Sequence, residues 1–272
     1  SISQLFFKGL LEKLDIDMQI IRHGKFKSAV EPYTLEKMSA ANREQMTLFL
    51  SSIADNIMDS IASQRGFSLS EIQDHANNLS LESAKICLNL NYVDALLYQD
   101  QIEDSLLKVS ESEKLNFISL KKYADVKLNN KEISRNKIAI IYATGTISSG
   151  KGDEKSIGSE TTAKAIKTAR EDKNVKAIVF RINSGGGSAL ASDVIWRETI
   201  LTKQAKKPIV VSMGDYAASG GYYIACAADS IVANPTTLTG SIGVFGMIPN
   251  LQKLYKNKLG ITIDTVNTNT YA

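Results

Sequence analysis

From Lys137 onward the sequence alternates short β-branched runs with segments of helical periodicity, and that alternation limits the fold more than any other feature. Ile138 to Tyr142, Ala177 to Ile182, Ile209 to Ser212, Ser230 to Ala233 and Ile261 to Val266 read as strands. Helices are expected near Glu160 to Arg170, Ser188 to Lys203, Ser219 to Ala228 and Asn250 to Leu259. Strands joined through helices pair in parallel, so the class is α/β, a largely parallel sheet with crossover helices. Ligands in such sheets bind beyond the carboxyl ends of the strands.

Two glycine-rich stretches fall at those ends. Met213-Gly214-Asp215-Tyr216-Ala217-Ala218-Ser219-Gly220-Gly221-Tyr222-Tyr223 follows one strand and leads into the small, apolar Ile224-Ala225-Cys226-Ala227-Ala228. Ser219 therefore stands where a strand gives way to a helix, near unpaired N–H groups and among small neighbours that let a substrate backbone come close. That suits a nucleophilic serine, and the bare residues suit a tight turn equally well. Asn183-Ser184-Gly185-Gly186-Gly187-Ser188 follows another strand. A glycine-rich strand end can aim several N–H groups at one point, as an oxyanion or a phosphate requires, and it can also be a plain flexible loop. Phosphate is the weaker choice, because no Gly-Lys-Ser/Thr ending is present and the glycines are contiguous.

A nucleophilic serine needs a base. The two histidines, His23 and His75, show no recognisable Ser/His/Asp arrangement. A lysine can serve if burial lowers its pKa from about 10.4 toward neutrality. Lys27, with Phe26, Ala29 and Val30 around it, is the best candidate, although lysines are more often solvated. Composition narrows the alternatives. A net charge of +3, from 32 basic and 29 acidic residues without a basic and aromatic patch, argues against nucleic acid. Cys87 and Cys226 are too far apart in sequence to indicate a metal cluster or a disulfide framework. The apolar run Ile138 to Ala143 is far short of the roughly 20 residues that span a bilayer, and the first residues do not read as a signal peptide.

The first half carries less signal. Leu5, Phe6, Leu10, Leu11 and Leu14 have roughly helical spacing, and Ile16, Met18 and Ile20 alternate as in a strand. Arg22 to Pro32 reads as a loop, and Ala40 to about Ile61 as a long helix with Ser39 as N-cap and Arg65-Gly66 as its stop. Shorter helices are expected to start at Ser70, Ser80 and Tyr92. Residues 111–136, charged and rich in asparagine, read as a connector between 1–110 and 137–272. Lys13-Leu14-Asp15-Ile16-Asp17-Met18 parallels Lys258-Leu259-Gly260-Ile261-Thr262-Ile263, a short internal similarity in which Lys27 corresponds to Ala272.

Four stretches together, Ser212 to Tyr222, Asn183 to Ser188, Thr239-Gly240-Ser241-Ile242-Gly243 and Lys27-Ser28-Ala29-Val30-Glu31-Pro32, resemble the signal peptide peptidase A (protease IV) family in its long, internally duplicated form. The resemblance covers most of 1–66 and 137–272. It implies a Clp/crotonase-like fold, with 1–110 the C-terminal part of one repeat and 137–272 the N-terminal part of the next. It further implies a serine endopeptidase with a Ser/Lys dyad: Ser219 as nucleophile, Lys27 as general base, Ser241 orienting the amine, and N–H groups of Gly220 and of Gly186 or Gly187 as the oxyanion hole. No cofactor or metal is implied. Hydrophobic peptides such as remnant signal peptides are the implied substrates, cleaved by a membrane-anchored homo-oligomer, a tetramer, on the periplasmic or extracytoplasmic side of the inner membrane.

Two departures accompany the resemblance. Gly185 stands where the family usually has proline, and the long form extends beyond both ends of these 272 residues, so a fragment lacking the anchor is expected. Two other classes stay open. A crotonase-like acyl-CoA hydratase or isomerase would use the same glycine-lined hole and be indifferent to Ser219→Ala. A non-catalytic oligomeric module would not react with serine-directed reagents.

Overall fold

A computed structural model describes residues 2–124, 126, 134–153 and 155–270. The chain forms two compact units, one of residues 1–53 with 135–272 and one of residues 54–134. The first unit thus joins the two ends of the sequence.

The first unit opens with α1 (Lys8–Lys13), β1 (Asp17–Arg22), a single 3-10 turn over Ser28–Val30, α2 (Glu31–Thr34) and the start of α3 (Ala40–Arg65). α3 begins where Ser39 Oγ accepts the N–H of Asn42 at 3.1 Å, as an N-cap does. It ends at Gly66, whose φ of +74° lets the Phe67 N–H turn back to the Ala62 carbonyl at 3.1 Å.

In the second unit, α4 (Leu69–Asn77), α5 (Ala84–Asn89), α6 (Gln99–Ser110) and α7 (Leu120–Ala124) follow the end of α3. These helices start at other points than the sequence suggests. Ser68 and Glu71 form a reciprocal capping box, Ser83 caps α5, and α6 begins only after Tyr98. Capping geometry therefore moves the helix starts away from Ser70, Ser80 and Tyr92. α7 lies inside the expected connector, most of whose remaining residues near 125–133 fall outside the described set.

The chain then continues in the first unit through β2 (Lys137–Thr144), β3 (Thr146–Ser148), β4 (Ser156–Gly158), α8 (Ser159–Glu171), β5 (Val175–Ser184), α9 (Ala189–Gln204), β6 (Ile209–Ala218), α10 (Gly220–Ala225), β7 (Ser230–Val232), β8 (Leu238–Gly240), β9 (Phe245–Asn250) and a π-helical turn over Leu254–Lys258. The main sheet runs β2-β5-β6-β7, all parallel, with β8 pairing the far half of β6. The α/β class with crossover helices is therefore as expected.

The core lies on one face of this sheet. Ile178, Phe180, Ile182, Ile209, Val211 and Met213 point from β5 and β6 toward Ile166 of α8, Ile195 of α9 and Ile224 of α10. Fully buried side chains of this size each contribute about 1.5–3 kcal/mol relative to exposure. Along β5 and β6 these buried positions alternate with half-buried ones, among them Val179, Arg181, Val210 and Ser212.

Two strand expectations need correction. Ile261 to Val266 is not a strand: the segment is exposed, with Val266 98% accessible, and pairs with no neighbour among the described residues. Conversely, Phe245–Asn250 forms β9, antiparallel to β1, with Asp17 opposite Asn250 and Arg22 opposite Phe245. Gly246 and Pro249 hide its strand character in the sequence. Of the paired positions in the internal similarity, Ala272 lies outside the described residues.

Phe180 is fully buried, so Phe180→Ala is expected to lower the unfolding free energy by about 3–5 kcal/mol. Urea denaturation should show a reduced midpoint at nearly unchanged slope. A loss below about 1 kcal/mol would contradict this placement of the core.

Candidate active site

The site forms where strand ends converge. β6 and β8 run in register, Ala217 opposite Thr239 and Ala218 opposite Gly240. The next residue of each, Ser219 and Ser241, is thereby brought alongside the other, and the Ser219 N–H donates to the Gly240 carbonyl at 2.8 Å. On its other side β6 pairs with β5, Ser184 opposite Ala217 after a register shift, which carries the glycine run past Ser219.

Backbone contact there is close. A Cβ at Gly186 would stand 2.6 Å from the Gly220 nitrogen and 2.9 Å from Ser219 Cβ, so only glycine fits. Gly187 is bridged to Ile147, with the Ser188 N–H donating to the Ile147 carbonyl at 2.9 Å and the Ile147 N–H to the Gly186 carbonyl at 3.0 Å. That ladder pattern turns the Gly187 N–H to the opposite side, toward Gly220. The Gly186 N–H instead donates to Ser184 Oγ at 3.1 Å, and that hydroxyl in turn donates to the Gly145 carbonyl at 2.6 Å. At Gly185 an added Cβ would meet open space.

Ser219 sits between β6 and α10 at φ +54° and ψ −118°. Such a conformation costs a non-glycine residue about 1–3 kcal/mol and persists only where the surroundings enforce it. Here the Gly240 hydrogen bond and the Tyr223 N–H, which donates to the Ser219 carbonyl at 2.9 Å, hold it.

Lys27 arrives from the other end of the chain. The β1–β9 ribbon places the end of β1 beside the start of β9, and the turn after β1 carries the lysine inward. Its side chain is 6% exposed. Nζ lies 3.2 Å from Ser219 Oγ, 2.7 Å from the Ser241 carbonyl and 3.1 Å from Ser241 Oγ, with the Phe245 ring 6.0 Å away. Burial holds its pKa below the ordinary 10.5, because desolvation penalises the ammonium. Among the described residues no carboxylate forms an ion pair with it to offset that effect.

A cavity of about 590 Å³ opens beside the pair, walled by Tyr222, Tyr223, Cys226, Ile242, Val244 and Phe245. Its walls are mainly apolar. The residues singled out from the sequence, Ser219, Lys27, Ser241, Gly220, Gly186 and Gly187, thus lie in one place, whereas His75 belongs to the second unit, its Nδ1 3.0 Å from the Tyr92 hydroxyl. Sequence reading missed the wall formed by Val244 and Phe245; the apolar residues directly after Gly243 were its only trace. Among the described residues no group of His, Cys, Asp and Glu could hold a metal.

Comparison with known proteins identifies relatives along the whole chain. Protease 4 of Salmonella typhi is 38% identical over 276 residues, covering 98% of this chain and 44% of its own length. A chloroplastic serine protease SPPA of Arabidopsis thaliana is 37% identical over 281 residues, covering 100% of this chain and 41% of its own. The chain spans less than half the length of these curated relatives. A solved structure, the 1510-N membrane-bound stomatin-specific protease with a substrate peptide, overlaps 40% of this chain and 47% of that one at 25% identity and a TM-score of 0.32, too partial a match to bear on the fold. The model of peptidase family S49 matches residues 1–113 and 202–272, the two segments that supply the lysine and the serine, and the chain belongs to that family.

Proposed function

We propose that the protein is a serine peptidase in which Lys27 is the general base and Ser219 the nucleophile. The observation that carries this reading is the buried Lys27 amine 3.2 Å from Ser219 Oγ with no counter-ion among the described residues. A neutral amine has two N–H donors and one lone pair. Ser241 offers two acceptors, its carbonyl at 2.7 Å and its hydroxyl at 3.1 Å, which use both donors and leave the lone pair for the Ser219 hydroxyl. Ser241 thus orients the base.

As Ser219 Oγ bonds to the carbonyl carbon of a peptide, its proton passes to Lys27 Nζ. The carbonyl electron pair moves onto oxygen, where the N–H groups of Gly220 and Gly187 receive it. Gly187 is preferred to Gly186, whose N–H already donates to Ser184. The lysine ammonium then protonates the leaving amine, and water repeats the sequence to release the acyl group. Pre-placed donors of this kind are each worth about 10²- to 10³-fold in rate.

The apolar cavity favours hydrophobic peptides, remnant signal peptides among them. On this reading the two dyad members come from successive repeats, 1–110 and 137–272. The working form is a homo-oligomer associated with the extracytoplasmic side of the inner membrane. No helix among the described residues is long and apolar enough to cross a membrane.

A fluorophosphonate probe is expected to label the parent protein with a rate that rises through an apparent pKa below 10.5. Ser219→Ala and Lys27→Ala should abolish labelling while circular dichroism stays unchanged. Labelling that survives Lys27→Ala would overturn the dyad, and addition of water across the double bond of an enoyl-CoA by a Ser219→Ala protein would favour the hydratase class.

The same burial has a stability consequence. Between the lowered folded pKa and 10.5 the unfolded chain binds the proton that the folded chain does not, so stability rises with pH across that window. Below it the penalty is full. Lys27→Met should therefore melt at a higher temperature than the parent at neutral pH, with the margin shrinking as pH rises toward 10.5. A margin independent of pH, read by thermal denaturation, would contradict a desolvated amine.

A further inference from the structure

We infer that Glu31 is the positioning residue of the general base, a buried carboxylate that locks the lysine-bearing turn onto the first turn of α3. The inference rests on the dyad reading above.

Glu31 is 1% exposed and lies four residues beyond Lys27, across the single 3-10 turn Ser28–Val30. Every partner of its carboxylate donates. The Ser39 N–H reaches it at 3.1 Å, the Ser39 hydroxyl at 2.6 Å and the Asn42 amide at 3.0 Å, and the Arg22 guanidinium lies 3.7 Å away. These hydrogen bonds hold its pKa down against the upward push of burial. Such an arrangement does for α3 what the N3 glutamate does in a capping box, with the carboxylate supplied by another segment.

The network also returns to the lysine. Asn42, fully buried, accepts from Gln45 Nε2 at 3.1 Å, and the same Gln45 amide donates to Ser28 Oγ at 2.7 Å. The residue after Lys27 and the residue four after it are therefore both fastened to one helix turn. A 3-10 turn this short has little rigidity of its own. Without the carboxylate, the half-buried Ser39 N–H would lose its acceptor and the fully buried Asn42 amide would keep only Gln4 Oε1 at 3.3 Å, so the turn would have to move to satisfy them. The groups packed round the Lys27 amine, Ser219, Ser241 and the Phe245 ring, carry no charge that would hold it in place instead.

The test is the pH dependence of fluorophosphonate labelling in the parent, Glu31→Gln, Gln45→Met and the double variant Glu31→Gln/Asn42→Asp. Glu31→Gln keeps the volume and turns an amide donor toward other donors. Labelling at neutral pH should fall about 10- to 100-fold, as for a displacement near 1 Å. Its apparent pKa should move up toward 10.5 as the amine regains water. Gln45→Met cuts the links to Ser28 and to Asn42 Oδ1 while leaving the bonds of the Glu31 carboxylate in place, and should give a smaller shift in the same direction, even if Glu31→Gln fails to fold. Moving the carboxylate to position 42 restores an acceptor for the amide at 31 and should recover both rate and profile. A profile that stays put or moves to lower pH in Glu31→Gln and Gln45→Met would overturn the positioning role while leaving the dyad intact, because mere destabilisation lowers the melting temperature without moving the profile. No labelling of the parent would overturn the dyad and the positioning role together.

Discussion

On the proposed reading Lys27 acts as a base, which an amine can do near neutral pH only if something disfavours its charged state, and burial is what lowers the pKa of Lys27. Lys27 is nearly inaccessible and meets only hydroxyls, a carbonyl and an aromatic ring. The rest of the first unit serves that constraint. The parallel sheet fixes Ser219 and Ser241 by register, and a glycine run passes close beside Ser219 and Gly220. The lysine itself has to be brought from some two hundred residues away in sequence.

Two devices accomplish this, and they differ in kind. The β1–β9 ribbon is a backbone pairing that sets where the turn begins, Arg22 opposite Phe245. The Glu31 network is made of side chains and sets where the turn ends. Backbone pairing alone would leave the turn free to swing, and a carboxylate alone could not choose the side of the sheet. Burying polar groups for this purpose is tolerable because each has its partner; with Thr199 Oγ1 as an exception elsewhere, buried side-chain polar atoms are satisfied among the described residues.

How much of this could be read from the sequence depended on range. β5 and β6 were legible because their buried and half-buried positions are both rich in β-branched residues, and α3 because Ser39 and Gly66 mark its ends. β9 was not, since its residues include Gly246 and Pro249 and its partner lies at the far end of the chain. The expected strand at Ile261 to Val266 had the right residues and lacked a neighbour to pair with. Ser219 and the glycines were recognisable by position at strand ends. Lys27 was a candidate by its apolar neighbours, and its pairing with Ser219 and the role of Ser241 came from family resemblance, since no periodicity links residues so distant. Glu31 was seen only as part of a motif, because its partners are defined by a fold that local pattern does not encode.

The most direct measurement of the central claim is the titration of the Lys27 side chain itself, followed by the ¹³Cε resonance of labelled lysine and assigned by its loss in Lys27→Met. The account predicts one lysine that titrates clearly below the ordinary 10.5, with Ser219 and Ser241 intact. A Lys27 resonance that titrates with the solvated lysines would contradict it.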